Sequence, residues 1–507
     1  SDVVFGNILG GVNYQIPPNE LPKYFLADGR NVLPNMNGYA TKRGGSSKLN
    51  TTAYGSIITS IHELVIGSTS YRFAAQGTAI GLYNSATRSY VSHITGLTDG
   101  SYGQWLNYGD YAIYVNGNDN PQKSNGVTGN DLTIGQSGLT GASCIAEWGE
   151  RIWTAIGSKL YGSALRAETD FSTTTVDIGY WEGNVGNKNK AITWLFPFFD
   201  QLLIGKQNQV YMLTGAPETA SSTFRLTPLY SKDMDSIGFT APPVQVGNDA
   251  IFLDGFDIKR LSGITQYGDV ESVSIIGNIR DFFKSSSGAG LDKDYLQNSR
   301  LFHYKHKEQV WCTVPTGANT RFWFVIDYSN RELRAQLGLP QYSMYPMYGI
   351  TPISFGGVED GTKLNLYAGF DDGYVRQLDI GSNDDNSVID SHCTWGFGSP
   401  IRRIQPVHVG LNVKYSGACT LRPYYAMGLQ GWEQVIDADN FTALASEDLT
   451  DSSWLYEDDP GSVYKKMSGI MFKSGRSFLY KLRNNTGGQN FEIRPSYFSY
   501  RLKDKYH

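Results

Sequence analysis

Asn248-Asp249-Ala250-Ile251-Phe252-Leu253, a turn at Asp254-Gly255, then Ile258-Lys259-Arg260-Leu261: these residues read as two short strands joined by a tight hairpin. Strand formers fill both runs, and Asp-Gly at the tip supplies the positive φ that such a turn requires. A single hairpin of this kind is marginal in water and leaves both edges open. Its meaning depends on whether the pattern recurs.

It recurs six more times. Tyr71-Arg72-Phe73-Ala74-Ala75 turns at Gln76-Gly77 into Ala79-Ile80-Gly81-Leu82-Tyr83, and Asp110-Tyr111-Ala112-Ile113-Tyr114-Val115 turns at Asn116-Gly117. Glu150-Arg151-Ile152-Trp153-Thr154-Ala155 leads through Gly157 to Lys159-Leu160-Tyr161, and Asp200-Gln201-Leu202-Leu203-Ile204-Gly205 leads to Gln209-Val210-Tyr211-Met212-Leu213. Gln309-Val310-Trp311-Cys312-Thr313-Val314 precedes Phe322-Trp323-Phe324-Val325-Ile326-Asp327, and Leu364-Asn365-Leu366-Tyr367-Ala368-Gly369 precedes Tyr374-Val375-Arg376-Gln377-Leu378. The starts lie about 40 to 60 residues apart, close to the interval of propeller blades. Sheets stacked around an axis bury both faces of each hairpin and leave few edges. The predicted fold is therefore all-β: a β-propeller of about seven blades, with two or three consecutive β-sandwiches as the competing arrangement.

Composition agrees. The chain has 507 residues, beyond the size of one hydrophobic core unless the architecture is a ring of repeats. Its 33 Tyr, 24 Phe and 10 Trp accompany 57 Gly, the mixture that aromatic strands and tight turns demand. A net charge of −5, with 18% charged residues, gives no basic surface for sequence-independent DNA affinity. No stretch approaches the length of a membrane span, and residues 1–31 lack a basic patch followed by an apolar run. The expectation is synthesis in a cytoplasm without export. Cys144, Cys312, Cys393 and Cys419 are widely separated, which suits buried reduced thiols better than zinc or disulfides.

Several segments break the repeat. Asn116 to Ser143, rich in Gly, Asn, Ser and Thr, predicts a long exposed loop. Val273, Ile276, Ile279, Phe282 and Phe283 stand at helical spacing behind Ser272, a suitable N-cap, so a short helix is predicted over 272–283. Gly381 to Asn386 reads as a polar linker, and Arg402 to Leu502 as a separate β-sandwich. The expected domains are 1–55, an N-terminal arm with first strands closing the propeller; 56–385, the propeller; and 386–507, a C-terminal β-sandwich-like domain.

Catalytic signatures fail one after another. Gly205-Lys206 is followed by Gln207, so the hydroxyl of a phosphate loop is missing; His62-Glu63 does not continue to HExxH; Gly135-Gln136-Ser137-Gly138 is one residue short of a nucleophile elbow. His303 and His306 would point to opposite faces of a strand. Carboxylates weigh more, because some propellers hydrolyse glycans with paired Asp or Glu. Thr175-Val176-Asp177-Ile178-Gly179-Tyr180-Trp181 approaches the Asp-box turn of sialidases, with Trp one residue early. Asp233, Asp235, Asp371, Asp372, Asp384 and Asp385 fall in no calcium loop and read as turn residues. No catalytic, cofactor-binding or metal site is assigned, and no cofactor is expected. The run Tyr342 to Tyr348, interrupted by Pro346, suits either core or a protein interface.

Phe5-Gly6-Asn7-Ile8-Leu9-Gly10-Gly11-Val12-Asn13 continues through Pro17-Pro18-Asn19-Glu20-Leu21-Pro22 and Ala27-Asp28-Gly29-Arg30-Asn31-Val32 to Gly38-Tyr39-Ala40-Thr41-Lys42-Arg43-Gly44-Gly45. This opening resembles that of tail proteins from short-tailed bacteriophages. The middle is similar too, at Trp194-Leu195-Phe196, Val210 to Gly215, and Val246 to Gly263. The likeness spans roughly residues 5–380 and rests on degenerate hairpin patterns; Lys42-Arg43-Gly44-Gly45 lacks the proline usual at that point. The resemblance implies a tail nozzle or tail-hub protein that stabilises packaged DNA and resides in the virion tail. Such a protein would be a homo-oligomer, a hexameric ring below the portal and its adaptor or head-to-tail connector proteins. It would carry tail fibres or spikes and pass double-stranded DNA without sequence-specific contact. A glycan-binding or glycan-hydrolysing propeller is the alternative.

Overall fold

The computed structural model describes residues 2–503 apart from 99–101, 132–138, 168, 176–177, 207–208, 217–219, 230–240, 264–269, 285–287, 362, 399–402, 417–418, 428–432, 435–440, 444–453, 456–461 and 468–476. Seven antiparallel sheets follow one another around an axis, and the chain is a seven-bladed β-propeller with a C-terminal β-sandwich. Each of the seven hairpins supplies the second strand of a blade, or its second and third. In blade 5 these are Asp249–Asp254 and Asp257–Gly263, between an inner strand Val244–Val246 and an outer strand Val270–Ser274. The inner strands of the other blades are Ile58–Ile66, Gln104–Tyr108, Cys144–Glu147, Ile192–Phe198, Arg300–Tyr304 and Ser354–Asp360. The last of them lies against the first, so the circle closes.

Alternation along the second strands explains the stacking. In blade 2, Ile113 and Val115 pack toward blade 3, while Ala112 and Tyr114 pack toward blade 1. In blade 6, Val310, Cys312 and Val314 face blade 5, and Trp311 faces blade 7. A period of two thus gives one strand two buried faces. Every seam between neighbouring blades holds its own apolar cluster.

Blade 7 takes its outer strand from the other end of the sequence. Ser46–Lys48 pairs antiparallel with Val375–Leu378, with Ser47 opposite Gln377. Of residues 1–55, this strand alone completes the propeller. Asp2–Phe5, Val32–Pro34 and Ala40–Lys42 instead enter one sheet of the C-terminal sandwich, beside Ser496–Lys503 and Asn490–Ile493. Asp28–Arg30 enters the other sheet, beside Ser391–Gly398. Phe498 stacks on Phe397 at 4.3 Å and on Phe478 at 4.9 Å, joining the two sheets face to face.

Four local expectations are corrected. Asn116–Ser143 is not one exposed loop, because Gln122–Ser124 and Gly129–Asp131 complete blade 2 and Asn116, Leu139 and Ala142 are buried. The helix expected over 272–283 begins later: residues 270–274 are the outer strand of blade 5, and only Arg280–Lys284 is α-helical, after a 3-10 turn at Gly277–Ile279. Cross-strand pairing with the third strand decides the first half of that segment. The linker at 381–386 contains a strand, Asn383–Asp384, alongside Ser46. Finally, the C-terminal sandwich is not separate, since one cluster holds its Trp395, Phe478 and Phe498 together with Trp311 and Trp323 of blade 6 and Leu366 of blade 7.

Candidate functional site

The segment carrying the resemblance runs between the propeller and the sandwich, and its polar residues converge on Arg43. Asn31, held at φ 56, donates from Nδ2 to the Asp390 carbonyl at 2.8 Å and accepts from Arg43 Nε at 3.0 Å and the Tyr348 amide at 2.7 Å. Arg43 also forms a bidentate pair with Asp384, Nη1 to Oδ1 at 2.9 Å and Nη2 to Oδ2, with both side chains almost wholly buried. Its guanidinium lies 5.2 Å from the Trp323 ring centroid. The glycines that follow are needed for close approach. A Cβ on Gly45 would fall 2.0 Å from the Asn383 carbonyl oxygen, and one on Gly44 would meet Asp379.

A second buried pair fixes the arm to blade 6. Arg334 Nη2 meets Asp327 at 2.7 Å, while its Nη1 donates to the Leu9 carbonyl and to Ser343 Oγ. Burial pushes the Asp327 carboxyl up despite that guanidinium. Tyr345 donates to the Ile8 carbonyl at 2.6 Å. The run 342–348 is therefore core: Ser343–Met347 is the outer strand of blade 6, covered by the arm, and Pro346 sits where an outer strand tolerates a missing N–H. Tyr14 and His392 hold Asp28 from two sides, at 3.1 and 2.9 Å; although burial opposes it, these bonds keep the carboxyl below its usual range. Lys42 donates to Asn484 Oδ1 and the Gln489 carbonyl, and burial lowers its pKa to about 8. Beside this junction opens a cleft of about 520 Å³, lined among others by Leu33, Met36, Lys307, Glu308 and Asn330.

The propeller axis is crossed at the end where the inner strands begin. Tyr102, on the approach to blade 2, reaches blade 6 across the ring: Arg321 donates to its hydroxyl at 2.8 Å and Arg300 to its carbonyl at 3.3 Å, with both guanidinium carbons about 5 Å from the ring centroid. Burial, with Arg321 nearby, lowers the Arg300 pKa to about 10. Gln104 adds a bond to the Thr193 carbonyl of blade 4. Further along, His62 stacks on Trp105 at 5.0 Å and bonds Asn107, and burial pushes its pKa down to about 4, leaving a neutral ring near pH 7.

The residues singled out by sequence are dispersed. Asp177, Asp233 and Asp235 lie outside the described residues, as does the near-elbow at 135–138. Asp372 and Asp385 both pair with Arg376, and Asp371 is an exposed turn residue. His303 contacts the Tyr328 hydroxyl, whereas His306 belongs to a 3-10 turn, so the two are not on one strand. Lys206 donates to the Val185 and Asn187 carbonyls. All four cysteines are free and buried, their thiols pushed up by burial. Among the described residues no group of three or more His, Cys, Asp or Glu could hold a metal ion, and no helix is long and apolar enough to cross a membrane. The Arg43, Arg334 and Tyr102 constellations escaped the sequence reading, because their partners lie 7 to 341 residues away.

No family model matches the chain, and no curated protein matches it. Solved structures that resemble it include a computationally designed protein, Ika8, at 13% identity and TM-score 0.39, covering 66% of this chain and 100% of that one. The Neurospora crassa Pan2 WD40 domain shows 9% identity and TM-score 0.40, covering 66% and 95%. BamB from Moraxella catarrhalis shows 12% identity and TM-score 0.38, covering 69% and 96%. None of these figures bears on function.

Proposed function

We propose that this chain is a structural protein of a phage tail, a nozzle or hub subunit that assembles into a ring, acts without catalysis, and contacts connector proteins and fibres or spikes. The observation that carries the reading is the use made of the opening segment. Its Asn31, Arg43, Gly44 and Gly45 clamp the propeller to the sandwich instead of surrounding a reactive centre. The result is a propeller and a sandwich joined around a shared core, which suits a component under mechanical load. Double-stranded DNA would pass through the hole of a multi-subunit ring, since Tyr102 and Arg300 span the axis of the single propeller. A low net charge suits such a passage, because strong phosphate binding would retard the duplex.

Negative-stain imaging of the purified full chain tests this. Six-membered rings with a central hole of duplex width are expected, and their dissociation should depend on protein concentration. Monomers at every concentration, or hydrolysis of a host polysaccharide by the purified chain, would refute the proposal.

A further inference from the structure

At the end of the propeller opposite Tyr102, each inner strand turns back into its second strand. Five of these seven turns have two residues. Four of the five open on glycine in the left-handed region: Gly67 at φ 61, Gly109 at φ 56, Gly247 at φ 63 and Gly361 at φ 54. The fifth, in blade 4, opens on Phe199 at φ 52. A bulky L-residue is strained in that conformation, so the local rule calls for glycine here as well. Moreover the side chain does not repay the strain by burial. Phe199 is 52% exposed and meets Phe198 edge-on at 4.6 Å.

At these turns the exposed charge of blades 2 to 4 is mainly acidic, while in blade 6 Lys305 and Lys307 are paired with Glu359 and Asp379. Asp200 completes the same turn, Asp110 stands at the corresponding turn of blade 2, and Glu147 and Glu150 flank that of blade 3; all four are exposed. Glu150 pairs with Arg166 at 2.7 Å, while Asp110, Glu147 and Asp200 have no ion-pair partner among the described residues. A strained, exposed aromatic among unneutralised carboxylates would disfavour an anionic lipid surface and would match an apolar pocket rimmed by cations.

We infer that Phe199 is the anchor of a docking surface for a different protein that presents an apolar pocket bordered by lysine or arginine. The inference rests on the reading of the chain as a particle component. Two measurements test it. With p-benzoylphenylalanine at position 199, irradiation of purified particles should join this chain to another structural protein, through a segment with Lys or Arg beside apolar residues. Phe199→Gly removes the anchor and relieves the turn, so its melting temperature should stay level or rise while its incorporation into particles falls about ten-fold or more. A link to a second copy, to lipid or to nothing, or a variant that melts lower yet assembles normally, would overturn the inference. If the unmodified chain is absent from particles, the broader reading falls with it; if it is present and position 199 stays unlinked, only the docking surface does.

Discussion

Arg43 shows how a single residue can serve three parts of the molecule. Every guanidinium nitrogen is bonded, to Asn31 in the arm, to Tyr348 after blade 6 and to Asp384 beyond blade 7. Replacing a buried pair of this kind with apolar side chains can be neutral, whereas removing one partner strands a charge. Asp384→Asn should therefore cost about 3 kcal/mol or more in urea denaturation, and Arg43→Met combined with Asp384→Leu should recover part of the loss. Lys42 adds a pH signature. Its folded pKa of about 8 lies below the free value of 10.5, so above pH 8 the unfolded chain binds more protons than the folded one. Lys42's own contribution to stability should rise as pH goes from about 8 toward 9.5, but the four buried thiols, which ionise at about 8.5 only in the unfolded chain, outweigh it, so net stability should fall over that range. In Lys42→Met the fall should be steeper than in the unsubstituted chain, and denaturation series at closely spaced pH values read the difference directly.

At the level of elements, what sequence revealed follows from where each strand's information resides. The seven hairpins were legible because a second strand buried on both faces needs a continuous apolar run and a sharp turn, both local properties. Outer strands carry less. Gln122–Ser124 and Gly129–Asp131 have little apolar content, and Val270–Ser274 borrowed a helical spacing from the turn that follows it. Ser46–Lys48, Ser-Ser-Lys, could not be read as a strand at all, although it closes the ring. The neighbouring Gly44-Gly45 was visible as a motif, but its reason lies in a segment more than 300 residues away. Gly45→Ala should consequently be among the most damaging small substitutions, costing several kcal/mol, because the clash is with backbone and not with a movable side chain. Differential scanning of the variant against Gly361→Ala, where a Cβ meets nothing, separates packing from turn strain.

Across the whole molecule the propeller and the sandwich share strands and a core, so they should not behave as independent domains. A chain ending after residue 386 would leave Asp2–Phe5 without a partner, strip Ala40–Lys42 of Asn490–Ile493 on one side and uncover Trp311 and Trp323. Its blades 6 and 7 should lose hydrogen-exchange protection, while blades 2 to 4, whose seams are their own, retain theirs. Equal protection in all blades of the shortened chain would contradict the shared core.

The pairing of Asp2–Phe5 with Ser496–Lys503 also sets a timetable for biosynthesis. Asp2–Phe5 emerges from the ribosome well before its hydrogen-bond partners, which follow after a delay of roughly 25 to 100 s at ordinary elongation speeds. Throughout that interval it is a nascent, sticky edge. Pro17, Pro18, Pro22 and Pro34, spaced through the same stretch, would discourage premature association with neighbouring polysomes.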